Sequence, residues 1–336
     1  MKRSCQFASV ILSVVSLPFL DGRARAQESP KDQRPIRINV ERVNVGVVVT
    51  DSSGHFVDQL KREDFHVYDD GIEQALTNYA TVDEPAQVLL LIEAGPAVYL
   101  LEEGHLRAAY ALLNGLAAGD RIALVKYSDL AKPILDFTTD KQAALAGLDH
   151  LQFNLGFGSL NLSSSLSKVL EWLAASEGKK TVILLSTGVD TSAPAETEQL
   201  LRRLSSGDVR TFTVSLAAGL QAAPHGKKKK GSQAAPNPNE KQFEEANQLL
   251  KEIAAASGGR AYFPRNSDEF EALYAEIAQL VRHEYSLAVA PSVRDGKFHV
   301  LSVRVSTNEK LDTGSGRDPF RVSHRQGYMA PAALQR

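Results

Sequence analysis

The chain has 336 residues, 43% of them hydrophobic, one cysteine, a formal charge of −2 and a mean hydropathy of −0.20. That length suits two or three units of roughly 100–200 residues, and the slight acidity argues against a nucleic-acid binder. Cys5 lies in the leader described next, so the rest of the chain has no thiol for a disulfide, a thiolate metal site or a cysteine nucleophile.

Residues 1–26 read as an export signal. Lys2 and Arg3 precede an apolar run from Phe7 to Leu20, and Ala24-Arg25-Ala26 offers a small-x-small cleavage site. Ser9, Ser13, Ser16 and Pro18 interrupt the run, whereas a membrane-spanning helix wants about 20 mostly apolar residues. The expectation is therefore cleavage after Ala26, no transmembrane anchor afterwards, and a location in the periplasm, at the cell surface or outside. Loss of Lys2, Arg3, Arg23 and Arg25 against Asp21 makes the remainder more acidic.

After a polar linker at 27–35, residues 36–84 read as a small β unit. Val43-Asn44-Val45-Gly46-Val47 alternates, Asp51-Ser52-Ser53-Gly54 is a turn, Asp64 to Tyr68 is extended, Asp69-Asp70-Gly71 is the next turn, and Leu76 to Tyr79 is extended again. From residue 85 the pattern changes. Val88 to Ile92 is a continuous apolar run, as in a strand buried on both faces of a parallel sheet. Helical spacing over Leu101–Leu116, a strand at Arg121–Val125, and then alternating strands and helices to Arg282 predict a doubly wound, mostly parallel sheet with helices on both faces over residues 85–282. Ser257-Gly258-Gly259 is a helix-stop signal within it.

Residues 217–241 interrupt this alternation with four lysines at 227–230 and Pro236-Asn237-Pro238-Asn239. They read as a disordered surface insertion, or as a polybasic contact for acidic lipid or polymer, weak and salt-sensitive for want of aromatics. Residues 283–331 return to strands. Asp295-Gly296 between the apolar runs Tyr285–Val289 and His299–Val305 predicts a hairpin. These last strands are expected to pack with residues 36–84 in a small β-sandwich-like unit that unites the two ends of the chain.

This order resembles that of von Willebrand factor type A (VWA) domains. The flanks resemble VWA-related proteins abundant in Acidobacteria: Val43-Asn44-Val45 through Val49-Thr50-Asp51, Leu60 through Asp64-Phe65 and Asp70-Gly71 before the core, and Asp295-Gly296-Lys297 and Gly327-Tyr328-Met329-Ala330-Pro331 at the end. The likeness covers about residues 36 to 331. It implies a divalent-ion site at the C-terminal ends of the strands, built from Asp-x-Ser-x-Ser after the first strand, a Thr in a later loop and the Asp of Thr-Asp-Gly after the fourth. Oxygen donors of that kind suit a hard cation such as Mg²⁺.

Here those positions fall on Glu93, Gly95 and Ala97, on Leu160 (with Ser159 one residue away), and on Thr187 within Ser186-Thr187-Gly188. Two hydroxyls and an acidic ligand are missing, so the site reads as degenerate, with no cofactor expected and only weak Mg²⁺ or Ca²⁺ binding as the alternative. Glu93 and Asp190 are the carboxylates that a remodelled site would use; otherwise Glu93 caps a helix and Asp190 is solvated. The eight histidines show no zinc-motif spacing, and Ser163-Ser164-Ser165 lacks a nucleophile elbow and reads as capping and surface chemistry. The expected function is a non-catalytic, exported protein-interaction module. Its candidate contact face comprises Glu93, Ser159, Asn161, Thr187 and Asp190. Metal-dependent adhesion and a structural envelope role are the alternatives.

Overall fold

The computed structural model describes residues 42–82, 84–95, 102–151, 158–216, 240–265, 267–306 and 320–332, without the side chains of 102–108, 240, 267 and 268. The expected leader and linker, Ala97 and nearly all of residues 217–241 lie outside the described residues.

A six-stranded sheet forms the centre, in the order β10-β9-β8-β5-β6-β7. Its strands are β5 (Ala86–Glu93), β6 (Arg121–Tyr127), β7 (Ala131–Thr138), β8 (Lys179–Ser186), β9 (Val209–Ser215) and β10 (Ala261–Tyr262). All neighbours pair in parallel except β6 and β7, which pair antiparallel. The helices are α1 (Glu102–Gly115), α2 (Lys141–Asp149), α3 (Leu162–Ala174), α4 (Pro194–Ser206), α5 (Glu240–Ala256) and α6 (Ser267–Arg282).

The two-residue period of β5 explains why its sequence is apolar throughout. Val88, Leu90 and Ile92 enter the core shared with α1 and α6, whereas Leu89 and Leu91 enter the opposite core with α3, α4 and α5. Full burial of each such side chain contributes about 1.5–3 kcal/mol, which makes β5 the fixed centre of the domain.

The chain ends form two four-stranded antiparallel sheets, as their alternation predicts. One has the order β13-β1-β11-β4 and the other β14-β12-β2-β3. These comprise β1 (Val43–Thr50), β2 (Phe65–Asp69), β3 (Ile72–Gln74), β4 (Leu76–Val82), β11 (Glu284–Val289), β12 (Phe298–Val305), β13 (Arg321–Ser323) and β14 (Gly327–Met329). Val43, Val45, Val47 and Val49 of β1 face Phe65, Val67, Leu301, Val303 and Tyr328 in a shared core. The buried Tyr285 ring joins them, its hydroxyl donating to the carbonyl of Val57 at 2.6 Å and accepting from the amide of Leu60. Val48, on the other face of β1, packs into the core of the central domain.

Asp70 and Gly71 make the β2–β3 turn at φ 47° and 81°, the positive values that a two-residue hairpin loop requires. The second expected hairpin does not form. β11 pairs with β1 and β4, and β12 with β2 and β14, so Asp295-Gly296 links two sheets instead of two neighbouring strands. Both edges of β11 are already taken by residues from the other end of the sequence, which local turn chemistry cannot foretell. The serine run at the start of α3 also differs from expectation, because Ser163 and Ser165 are buried.

Candidate functional site

The last residue of β5, Glu93, sits at the C-terminal edge of the parallel sheet, between β6 and β8. It is fully buried. Its Oε2 accepts from the backbone N–H of Thr187 at 2.7 Å, the Thr187 hydroxyl at 2.9 Å, the Ser186 hydroxyl at 3.0 Å and the Tyr127 hydroxyl at 3.3 Å. The Thr187 hydroxyl also lies 3.0 Å from Oε1, and the Tyr127 and Ser186 hydroxyls are 2.7 Å apart. Burial pushes the Glu93 carboxyl above the usual carboxylate range, although hydrogen bonds from Thr187, Ser186 and Tyr127 oppose the shift. Burial, joined by the charge of Glu93, raises Tyr127 as well. Among the described residues Glu93 caps no helix; it closes a cluster with three residues of neighbouring strands and the loop after β8.

Gly95 lies beneath Leu160. A Cβ at 95 would come within 3.0 Å of Leu160 Cδ2 and 3.4 Å of Glu93 Oε1, so glycine here and an aliphatic side chain at 160 fit one another. The loop carrying Leu160 is fixed to the loop after β8: the amide of Leu160 donates to the Thr191 hydroxyl at 3.0 Å, and the amide of Thr191 donates to the Leu160 carbonyl at 2.8 Å. Asn161 is used internally, donating to the Asp129 carbonyl and accepting from the Thr191 hydroxyl. Gly188 takes φ 81°, and a Cβ there would lie 2.5 Å from the carbonyl oxygen of Ala246 in α5.

Asp190 is not merely solvated. Its Oδ2 accepts from the amide of Ser163 at 3.2 Å, from the Ser163 hydroxyl and from Thr197, while Oδ1 accepts from the amide of Ser192 at 2.9 Å. It therefore satisfies an open N–H in the first turn of α3, a task that Asn161, the residue at the cap, leaves undone. Of the five candidate contact residues, Ser159 is exposed and Asn161 and Asp190 are half-buried, whereas Glu93 and Thr187 lie inside. The first three lie in the loops, outside the carboxyl cluster.

The donor set differs from what a hard cation wants. Glu93 supplies one carboxylate already occupied by internal donors, Thr187 turns its hydroxyl to that carboxylate, and Leu160 supplies no side-chain oxygen. Sequence reasoning did not foresee the closure of Glu93, because nothing local ties Tyr127 of β6 to it.

A second cluster lies in the outer β layers. Asp69, Asp70 and His299 bring ligand-type atoms within 4.8 Å of one another, a grouping that no other His, Cys, Asp or Glu set forms among the described residues. His299 Nδ1 is 3.0 Å from both Asp69 Oδ1 and Asp70 Oδ2, and Nε2 is 3.3 Å from Asp295. The other oxygen of Asp69 takes the amide and hydroxyl of Ser292 and the Tyr328 hydroxyl. This arrangement is an ion-pair network built on a histidine with carboxylates at both nitrogens. It escaped sequence reasoning because Asp69 and His299 are 230 residues apart.

The sequence model of the von Willebrand factor type A domain matches residues 106–276. No curated protein matches. Similar solved structures include a von Willebrand factor type A protein from Catenulispora acidiphila, at 13% identity and a TM-score of 0.46 over 81% of this chain and 74% of that one. Protein BatB from Bacteroides thetaiotaomicron is 12% identical, with a TM-score of 0.43 over 59% of this chain and 98% of its own. Proximal thread matrix protein 1 from the mussel byssus, with a zinc-occupied MIDAS motif, is 15% identical, with a TM-score of 0.43 over 62% and 49%.

Proposed function

The chain belongs to the von Willebrand factor type A family, and from that premise we propose that it is a protein-interaction module that performs no catalysis and holds its partner without a bridging metal. One observation carries this reading: the only family ligand position here to keep a carboxylate, Glu93, is buried and hydrogen-bonded to Thr187, Ser186 and Tyr127. A buried carboxylate whose Oε2 takes several internal donors is poorly placed to lend an oxygen to an ion shared with a partner. Contact falls instead to the rim, at Ser159 and the loop from Asp190 to Ala193 with the first residues of α4.

In this reading residues 85–282 are the binding domain, and 36–84 with 283–331 form its platform. Residues 1–26 direct export, and no described helix is long and apolar enough to cross a membrane. The test is a pull-down from envelope extract with the full chain, run with Mg²⁺, Ca²⁺ or chelator. One stoichiometric partner, retained in chelator and lost in Ser159→Arg, is the expected result. Loss of the partner in chelator would return the function to a remodelled metal site using Glu93 and Asp190. Absence of any stoichiometric partner would leave a structural envelope role.

A further inference from the structure

At the end of the parallel sheet opposite Glu93, where β8 and β9 begin, a cavity of about 390 Å³ opens between the central domain and the sheet that holds β1 and β11. That volume falls within the range of about 300–1,000 Å³ typical of small-molecule pockets. Its wall is rich in cations. Lys179, Lys180 and Arg210 are nearly inaccessible, with side chains 7–8% exposed, and Arg325 is half-buried. Among the described residues, the acidic ones that face them are Glu284, inside, and Asp208 and Glu84, at the exposed rim. Asp208 is 2.8 Å from Lys180, and Glu284 is shared between Arg210 at 3.0 Å and Lys179 at 3.8 Å.

Several donors in this wall have no hydrogen-bond acceptor among the described residues. Arg210 Nε and Nη1 are buried without one, because Nη1 stands beside Glu284 but makes no aligned hydrogen bond to it. Arg325 gives its terminal nitrogens to the carbonyls of Ser206, Gly207 and Asn44, and its Nε is left over. The Thr181 hydroxyl, 1% exposed, has no partner among the described residues either. Buried donors without acceptors cost about 1–3 kcal/mol each, more when charged, so their gathering around one cavity calls for a ligand rich in acceptors. Gly46 keeps the wall open: a Cβ there would lie 3.0 Å from Glu284 Oε2 and 3.3 Å from Arg210 Nη2.

We propose that this cavity binds a phosphate group, as the free ion or as a small phosphomonoester, on Arg210, Thr181 and Lys180. A phosphate offers only acceptors, on several oxygens, to a wall of charged donors and a hydroxyl. Since the wall draws on β8 and β9 together with β1, β11 and Arg325, the ligand also ties the central domain to its flanking sheets.

The test is calorimetric titration of the full chain in amine buffer at fixed ionic strength, with inorganic phosphate and with glycerol phosphate. Saturable 1:1 binding with a Kd below about 1 mM is expected. Thr181→Val, which preserves charge and shape, should weaken it about tenfold, and Arg210→Gln should abolish it. Tighter binding of glycerol phosphate identifies a phosphomonoester site, and equal binding identifies a site for the free ion. The proposal is overturned by the absence of a saturable signal up to about 10 mM, by an equal response to NaCl, or by unchanged affinity in Thr181→Val. The last of these decides the matter even if Arg210→Gln fails to fold.

Discussion

Thr187 donates both its backbone N–H and its hydroxyl to Glu93, at 2.7 and 2.9 Å, across 94 residues of sequence. Thr187, where the family resemblance leads one to expect an acidic ligand, thus serves the Glu93 carboxylate. Glu93→Ala leaves the Thr187 amide and two buried hydroxyls with no acceptor and opens a cavity. It should lower stability by about 3 kcal/mol or more. Glu93→Gln keeps an oxygen toward Thr187 and should cost much less. Urea unfolding midpoints distinguish the two, and equal midpoints for both variants would show that the cluster does not depend on the carboxyl oxygen.

Gly95 and Leu160 should be coupled. Gly95→Ser drives a side chain against Leu160 Cδ2, 3.0 Å from the new Cβ, at a cost of about 1–3 kcal/mol. Leu160→Ala in that background removes the obstruction. A double-mutant cycle by thermal unfolding should give the pair less destabilisation than the sum of the singles; strict additivity would refute the coupling.

Gly188 has no such remedy, because the obstruction is the backbone carbonyl of Ala246 at 2.5 Å and φ is 81°. Gly188→Ala should cost about 2 kcal/mol or more. In differential scanning calorimetry this corresponds to a fall of at least several degrees in Tm. An unchanged Tm would mean that the loop after β8 reshapes freely.

Stability should vary with pH through His299 and Asp69. Burial disfavours the imidazolium, but Asp69, Asp295 and Asp70 together prevail and raise the pKa of His299. A raised histidine contributes fully below its unfolded pKa, about 6.5, and its contribution is lost as pH rises through the folded value. Burial likewise opposes the charge of Asp69, yet hydrogen bonds from Ser292, Tyr328 and His299 hold its carboxyl below the ordinary value. That contribution is present above the unfolded pKa of about 3.9 and is lost as pH falls through the folded one. The network should therefore act fully between about pH 4 and 6.5. In a Tm–pH profile, His299→Asn should flatten the alkaline limb; an unaltered limb would remove His299 from the explanation.

Local pattern was enough to read the class of fold. Continuous burial of Val88–Ile92 marks a strand covered on both faces, and alternation at Val43–Val49 marks one with a face toward a β core. Both follow from local periodicity, which neighbours along the chain are enough to express. That Gly95 and Leu160 lack a side-chain oxygen and Thr187 a carboxylate is a matter of residue type. Tertiary structure alone decided how the gap is closed. Glu93 meets Thr187 and Tyr127, Asp190 meets Ser163, His299 meets Asp69, and Arg210 meets Glu284, each across at least 27 residues. It also decided that β11 and β12 lie in different sheets despite the Asp295-Gly296 turn between them. Whether a polar side chain faces solvent, an ion or another side chain depends on which strands become neighbours, and that is settled by burial of the whole core rather than by any segment's own pattern.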